Sequence, residues 1–425
     1  MEKQEKLLLV GGDIATPHVI KYCKKIGVYT IMTNDIPYEN NPIKQMADEA
    51  WEIPVEELDI LEAKCKEVGV TGVFAGVNEH NLDMTQALSK RLGLPFYASD
   101  EGWACARDKL RFKEHCIAVG LDVPKQYHIQ KPFDAEILAN VEYPVIVKPA
   151  DSSGSRGVAV CYNEEELTSA FDHALSFSES GRVVVEDYID GNEFIILICL
   201  VNGYPIVYDF ASSYHVPVNG RKAVSFCTNI VRNWTYWELQ NSEKVVQLFD
   251  RMNCKEGCLF LQGACRNGRY YLFELGYRLD GLGSWLTQPA SIGFNPLELQ
   301  VDLALGHDQT HHQLPDDCKL RNHIVSIYQI YPRAGIVSKI TGLENLLNNK
   351  NVKVTINRYH EGDQIQAGHS LFHMAYNMLL STTSEKETQN LLQFINTNLH
   401  FYDEDGNDML HYFEDYSIFE TSVEN

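Results

Sequence analysis

The chain has 425 residues, too many for one hydrophobic core and enough for two or three domains. Apolar residues at 44% and charged residues at 22% are the balance of an ordinary globular chain, which excludes a disordered or fibrous one. The 36 Lys and Arg against 58 Asp and Glu give a net charge of −22. That field repels a nucleic-acid backbone or an anionic membrane, but it leaves room for a small anion in a locally basic pocket.

The apolar run Ile195 to Val201 falls far short of the roughly 20 residues that span a bilayer. Met1 to Lys6 is charged and Leu7 to Val10 is too brief for a signal-peptide core. Eleven scattered cysteines without a Cys-x-x-Cys fit a reducing compartment. The expectation is a cytoplasmic protein that neither spans a membrane nor is secreted. Cys254, Cys258 and Cys265 are close enough in sequence for a metal site, but apolar surroundings without a His partner favour buried thiols. His311 and His312 sit in a polar stretch and read as a surface loop, not a ligand pair.

Along the first hundred residues, strand-like and helix-like patterns alternate. Lys6 to Val10 is a predicted strand, and His18 to Ile26 a helix closed by Gly27. Val28 to Met32 and Gly72 to Gly76 are further strands, and Leu82 to Leu92 a helix closed by Gly93. This alternation predicts a parallel sheet wrapped by helices. The turn Gly11-Gly12 lacks the Gly-x-Gly-x-x-Gly of a dinucleotide site, so no NAD site is read there. A helix from about Asp108 to Val119 follows, ending at Gly120 with Pro124 beyond.

Strands and hairpins then take over. Tyr143 to Lys148, Gly157 to Tyr162 and Val183 to Tyr188 are predicted strands, and Asn163 with Glu166 forms a capping box for a helix through about Phe177. Asn202-Gly203 and Asn267-Gly268 are hairpin turns between apolar runs. From about Arg321 a third region has strands at Ile324 to Tyr331 and Val352 to Ile356 and a helix near Glu385 to Leu399. There is no internal repeat.

Three stretches carry chemistry. In Val145 to Gly157 a buried strand delivers Lys148, followed by the small loop Ser152, Ser153, Gly154, Ser155, Arg156, Gly157. Gly and Ser let backbone N–H groups turn toward an anion, hydroxyls add donors, and Lys148 and Arg156 neutralise charge. The lysine precedes the loop, so this is not a Walker A motif; a Ser/Gly surface turn is the alternative reading of the loop alone. Next, Glu186 ends an apolar strand and Glu193 lies beyond a glycine turn. Such carboxylates suit ribose hydroxyls, with the backbone between them meeting an adenine edge, or are simply solvated.

The third stretch runs from Phe260 to Arg278, and its turn decides the chemistry. A two-residue loop pairs Arg266 with Arg269 and puts Gln262 and Glu274 on opposite faces. A three-residue loop with a left-handed Gly268 pairs Cys265 with Arg269. Gln262 then faces Leu272, Glu274 faces Phe260, and both oxygen ligands share one face. Two such ligands on adjacent strands suit Mg²⁺. The alternative is a hairpin with a buried, hydrogen-bonded Gln, although an unpaired Glu274 within an apolar strand is costly.

In this order, the stretches resemble the ATP-grasp superfamily, and within it the carbamoyl-phosphate-synthase-like and L-amino-acid-ligase-like carboxylate–amine ligases. The resemblance implies an α/β (α+β) chain with an ATP-grasp fold: a pre-ATP-grasp parallel-sheet domain over 1–100, an ATP-grasp domain over 101–319 with a lid subdomain at about 124–190, and a C-terminal closing domain over 320–425. It further implies that Lys109 and Lys148 hold ATP phosphates under a mobile lid loop, 152–157. Glu186 would border adenine, Asp187 to Ile189 would form the hinge, and Glu193 would bind ribose. Gln262 and Glu274 would hold Mg²⁺, one ion or two, and Arg278 would steady the transferring phosphate. The family usually has Asn two residues after its metal-binding Glu, where this chain has Gly276. A glycine offers no side-chain oxygen to a second ion.

The implied activity is ATP-dependent activation of a small carboxylate, an amino acid or a related acid, as an acyl phosphate for attack by an amine. The partners are those small molecules, with a homodimer by resemblance only. Two alternatives stand beside it: a degenerate nucleotide-binding scaffold or sensor, and a carbamoyl-phosphate-synthase-like enzyme that phosphorylates bicarbonate or carbamate. His215, Arg221 and Arg232 lie where a substrate carboxylate is met or are ordinary surface residues; the sequence does not name the substrate.

Overall fold

The computed structural model describes residues 4–152, 156–218, 221–229, 234–312, 323–368 and 373–419. Near the N-terminus, β1 (Lys6–Val10), β2 (Tyr29–Thr33), β3 (Glu49–Trp51) and β4 (Gly72–Phe74) form a parallel sheet in the order β3-β2-β1-β4. The helices α1 (Thr16–Ile26) and α2 (Leu58–Val68) connect β1 to β2 and β3 to β4, and α3 (Glu79–Leu92) follows β4. Leu7 to Val10 are all buried, as a strand with both faces covered requires. Two helices follow, α4 (Asp100–Arg107) and α5 (Lys109–Ala118); Asp108 caps α5 through its Oδ1, which accepts from the N–H groups of Leu110 and Arg111.

A small antiparallel sheet comes next, β5 (Gln126–Tyr127), β6 (Val145–Pro149), β7 (Ala159–Cys161) and β8 (Val183–Asp187), in the order β5-β8-β6-β7. The helices α6 (Ala135–Ala139) and α7 (Glu164–Leu175) accompany it, and Leu167, Phe171 and Ala174 of α7 pack on Val145 and Val147. Half of the expected capping box forms as read: Glu166 N–H donates to Asn163 Oδ1 at 2.9 Å, while the Glu166 carboxylate accepts from the Tyr162 N–H at 2.8 Å and the Asn163 Nδ2 at 2.9 Å.

The largest sheet is antiparallel. Its strands β9 (Asn192–Val201), β10 (Tyr204–Val218), β11 (Arg221–Thr228), β12 (Gly257–Arg266), β13 (Arg269–Gly276) and β14 (Ile324–Pro332) are ordered β13-β12-β9-β10-β11-β14. Beyond β14 it continues through Tyr376–Thr382 to Val352–Asn357. Between β11 and β12 lies α8 (Trp234–Arg251), and between β13 and β14 lie α9 (Gln288–Ile292) and α10 (Pro296–Leu305). No helix among the described residues is long and apolar enough to cross a membrane.

The β12–β13 hairpin corrects the expected register. Arg266 pairs with Arg269 across a two-residue turn in which Asn267 and Gly268 both have positive φ, 54° and 72°. The extra residue sits higher up: pairing shifts between Gln262 and Gly263, leaving Phe273 as a bulge. Gln262 is thereby brought opposite Glu274, not Leu272, and Phe260 opposite Gly276. The shared face of Gln262 and Glu274 thus arises from a bulge within the strand and not from the turn.

Candidate active site

Sheet register brings the first charged cluster together. Ile146 pairs with Glu186, so Lys148, two residues along β6, shares the Glu186 face as its diagonal neighbour. Lys148 Nζ lies 2.5 Å from Glu186 Oε1. On the other oxygen, Oε2, α5 delivers Lys113 as a second ion pair. Lys113 and Glu186 are 0% and 1% exposed, and Lys148 is 7% exposed. Burial pushes the Glu186 pKa up, but Lys148 and Lys113 outweigh it and hold the carboxyl below its ordinary range. Burial, with the like charge of Lys148, pushes Lys113 down to about 8 against the pull of Glu186. When both lysines are charged, two cations meet one carboxylate, so the cluster keeps a positive charge for an anion at the Lys148 end.

A second convergence joins helix, loop and hairpin. Lys109, the first residue of α5, donates from Nζ to the Ser152 carbonyl at 2.7 Å and lies 3.3 Å from Glu274 Oε2. The Lys109 N–H donates to the Ala150 carbonyl at 3.2 Å, fastening the start of the loop to the helix. The Ser152 Oγ is buried without a hydrogen-bond partner. Lys148 Nζ is 5.5 Å from the ring centre of Phe273, the bulge residue beside Glu274. The small sheet and the hairpin therefore face each other across the two lysines.

Arg278 follows the hairpin. Its Nη2 is 3.0 Å from Glu79 Oε1 at the start of α3, and its Nη1 donates to the Leu279 carbonyl at 2.8 Å. The guanidinium lies 5.0 Å over the Phe260 ring, and its Nε is buried without a partner. Glu79 also pairs with Arg107; Arg278 and Arg107 overcome burial and hold its carboxyl below the ordinary range. The Phe260 ring also closes the space beside Gly276: a Cβ there would lie 2.1 Å from Phe260 Cζ. The position that lacks the family's Asn is filled by an aromatic ring.

Along β8 and the turn after it, Asp187 Oδ1 accepts from the Tyr127 hydroxyl at 2.9 Å, the Tyr188 N–H donates to the Pro144 carbonyl, and Ile189 is buried. Glu193 on β9 is 3.3 Å from His215 Nε2, so this histidine, a candidate for meeting a substrate carboxylate, faces a carboxylate of the chain itself. Gly157 has φ +70°, with Pro149 and Phe177 at 3.0 Å from any Cβ. Ser153, Gly154, Ser155 and Arg232 lie outside the described residues, and Arg221 is described only as the start of β11.

Cys254 and Cys258 are buried thiols, as expected, and burial raises Cys254 to about 12. His311 and His312 do lie in a loop, with His311 exposed, but both rings turn onto the buried carboxylate of Asp302, 3.1 and 2.8 Å away. Sequence reasoning also missed Lys113, Glu79 and Phe260. A lysine four residues after Lys109 and beside the buried Phe112 was the available signal for Lys113; Glu79 and Phe260 had none.

Residues 119–256 match the D-ala D-ala ligase C-terminus family. The chain is 24% identical over 300 residues to the carbamoyl phosphate synthase large chain, C-terminal section, of Aquifex aeolicus, covering 69% of this chain and 55% of that one. It is 32% identical over 214 residues to the 2-oxoglutarate carboxylase small subunit of Hydrogenobacter thermophilus, covering 45% and 44%. The chain has the ATP-grasp fold. Its ATP-grasp fold is shared with the L-amino acid ligase of Bacillus licheniformis, at a TM-score of 0.79 and 19% identity over 95% of this chain and 100% of that one. The biotin carboxylase domain of the Hydrogenobacter enzyme, solved as a dimer with MgADP, ADP and bicarbonate, gives 0.72 at 18% identity with full coverage of both chains. The matched segments span about half or less of the curated relatives' own length, down to 17% for the Clostridium beijerinckii synthase chain.

Proposed function

We propose that this ATP-grasp protein is an ATP-dependent ligase that activates a small carboxylate, an amino acid or a related acid, for attack by an amine. The substrate carboxylate oxygen attacks the γ-phosphorus of ATP, the bond to the β-phosphate oxygen breaks, and ADP leaves. The amine nitrogen then attacks the acyl carbon, phosphate departs, and the nitrogen gives up a proton. The observation that carries this reading is the convergence of Lys109, Lys148 and the opposed pair Gln262 and Glu274, a cationic and an oxygen-donor surface facing each other inside a chain of net charge −22.

Lys148 and Lys109 hold phosphate oxygens, with Ser152 beside them. Glu186 acts through Lys148, which it orients, while the backbone from Asp187 to Ile189 borders the adenine and Glu193 takes the ribose. Arg278, anchored by Glu79, turns its unpartnered Nε toward the transferring phosphate. Gln262 and Glu274 would hold Mg²⁺, which neutralises charge on the phosphates. Their direct opposition across the hairpin fits one ion, whereas Gly276 under the Phe260 ring adds no ligand for a second.

The test is ADP release from Mg²⁺-ATP with hydroxylamine as a surrogate amine and a panel of carboxylates. Carboxylate-dependent ADP with a hydroxamate product supports the ligase and names the acid. Bicarbonate-dependent ADP alone would move the reading to a carbamoyl-phosphate-synthase-like enzyme. The filled space at Gly276 favours a second reading, a nucleotide-binding scaffold, and ATP binding without turnover across the panel would establish it.

A further inference from the structure

Asp302, near the end of α10, is a buried carboxylate with four partners. The Tyr22 hydroxyl donates to Oδ2 at 2.7 Å, His307 Nδ1 is 3.1 Å from Oδ1, and His311 Nε2 and His312 Nε2 are 3.1 and 2.8 Å from Oδ2. The tautomer of His311 follows from its other nitrogen. Nδ1 lies 2.9 Å from the Asp308 carbonyl, which only accepts, so Nδ1 carries the proton. In the neutral ring Nε2 is then a lone pair aimed at an anionic oxygen. Two electron-rich atoms hold that separation only with a positive charge between or beside them. Oδ2, moreover, already accepts from Tyr22, so two further donors would crowd its remaining lone pair.

A metal ion satisfies both conditions. One ligand atom each from Asp302, His311 and His312 lies within 4.8 Å of the other two. Separations of 2.8 and 3.1 Å are a few tenths of an ångström shorter than the edges of a tetrahedron with bonds of about 2.0–2.1 Å, so an ion drawn between these atoms needs only a small outward turn of the rings. The surroundings match as well, since a ligating imidazole donates its other N–H to a carbonyl, and a ligating carboxylate is itself hydrogen-bonded. His307 bridges Asp302 to Glu5 at 3.0 Å and holds the carboxylate from behind. The His312 side chain is 6% exposed and that of His311 55%, leaving one side open to an incoming ion.

We propose that Asp302, His311 and His312 form a divalent transition-metal site outside the ligase centre, with zinc as the ion their carboxylate and imidazole donors favour. The ion pins the segment after α10 to α1 through Tyr22 and so fixes α10 against the N-terminal sheet. From α10, Gln300 Oε1 accepts the Cys258 N–H on β12 at 2.8 Å, the strand that carries Gln262.

The test is zinc titration of chelator-treated full-length protein at pH 8 without nucleotide, by calorimetry, with Co²⁺ absorption as a second readout. One equivalent of zinc is expected, with affinity lower by at least about a hundredfold in His311→Ala and in the His311→Ala/His312→Ala double variant, the upper scale of losing even an outer partner. A Glu274→Ala protein should still bind its equivalent, which separates this site from the magnesium pair. No stoichiometric zinc in the wild type, or unchanged affinity in both histidine variants, would overturn the proposal. His311 is largely exposed, so its single variant tests ligation even if the double variant folds poorly.

Discussion

Glu186→Gln keeps the shape of the side chain and removes the one anion shared by two buried lysines. Breaking a buried pair by deleting one partner costs about 3–5 kcal/mol, because the remaining charge stays out of water without compensation. Lys113, fully buried and paired to Oε2, bears most of that cost, while Lys148 can turn toward the site. The pH dependence follows from the lysine. Its folded pKa, about 8, already lies below the unfolded value, so the folded state is favoured as pH rises from there toward the unfolded pKa. In the variant the carboxylate no longer raises that pKa, and Lys113 releases its proton at lower pH. The stability deficit is therefore largest near pH 6, narrows as pH approaches about 8, and is constant above it. Urea denaturation followed by tryptophan fluorescence from pH 6 to 9 reads this directly. Lys113→Met on top of Glu186→Gln should restore at least about half of the loss by removing the stranded charge. A deficit below about 1 kcal/mol, or one independent of pH over that range, would refute the buried triad as the element that holds Lys148.

Two further outcomes are expected. Glu274→Ala and Lys148→Ala should each lower carboxylate-dependent ADP release by at least about a hundredfold, the scale of one electrostatic contact to a transition state; near-wild-type rates would remove that residue from the proposed site. Gly276→Asn should destabilise by about 1–3 kcal/mol instead of improving the enzyme, since its Cβ would stand 2.1 Å from Phe260 Cζ. The same change in a Phe260→Ala background should cost much less by urea denaturation, and an equal cost there would show that the ring is not the obstacle.

Local signals were legible wherever one segment settles its own structure. The strand Val145–Pro149, the Asn163 cap on the Glu166 N–H, and the Asn267-Gly268 turn form as their sequences dictate. Helix α8 was not among the expected elements, although Val245, Leu248, Phe249 and Met252 give its segment a buried helical stripe. The bulge at Phe273 had one faint sign. A Cβ on Gly263 would lie 2.2 Å from the Tyr271 carbonyl, so only glycine admits the partner strand so closely.

Sequence by itself determined the order of motifs, the lysine at a strand end, the Ser/Gly loop after it, and the two oxygen donors on neighbouring strands, because these depend on turn chemistry and a period of two. Tertiary structure alone decided which charges meet. Glu186 and Lys113 are 73 residues apart, and Tyr22 and Asp302 are 280 apart. Nothing local sets such pairs: a buried charge is tolerated only where packing brings it a partner, and packing is a property of the whole fold.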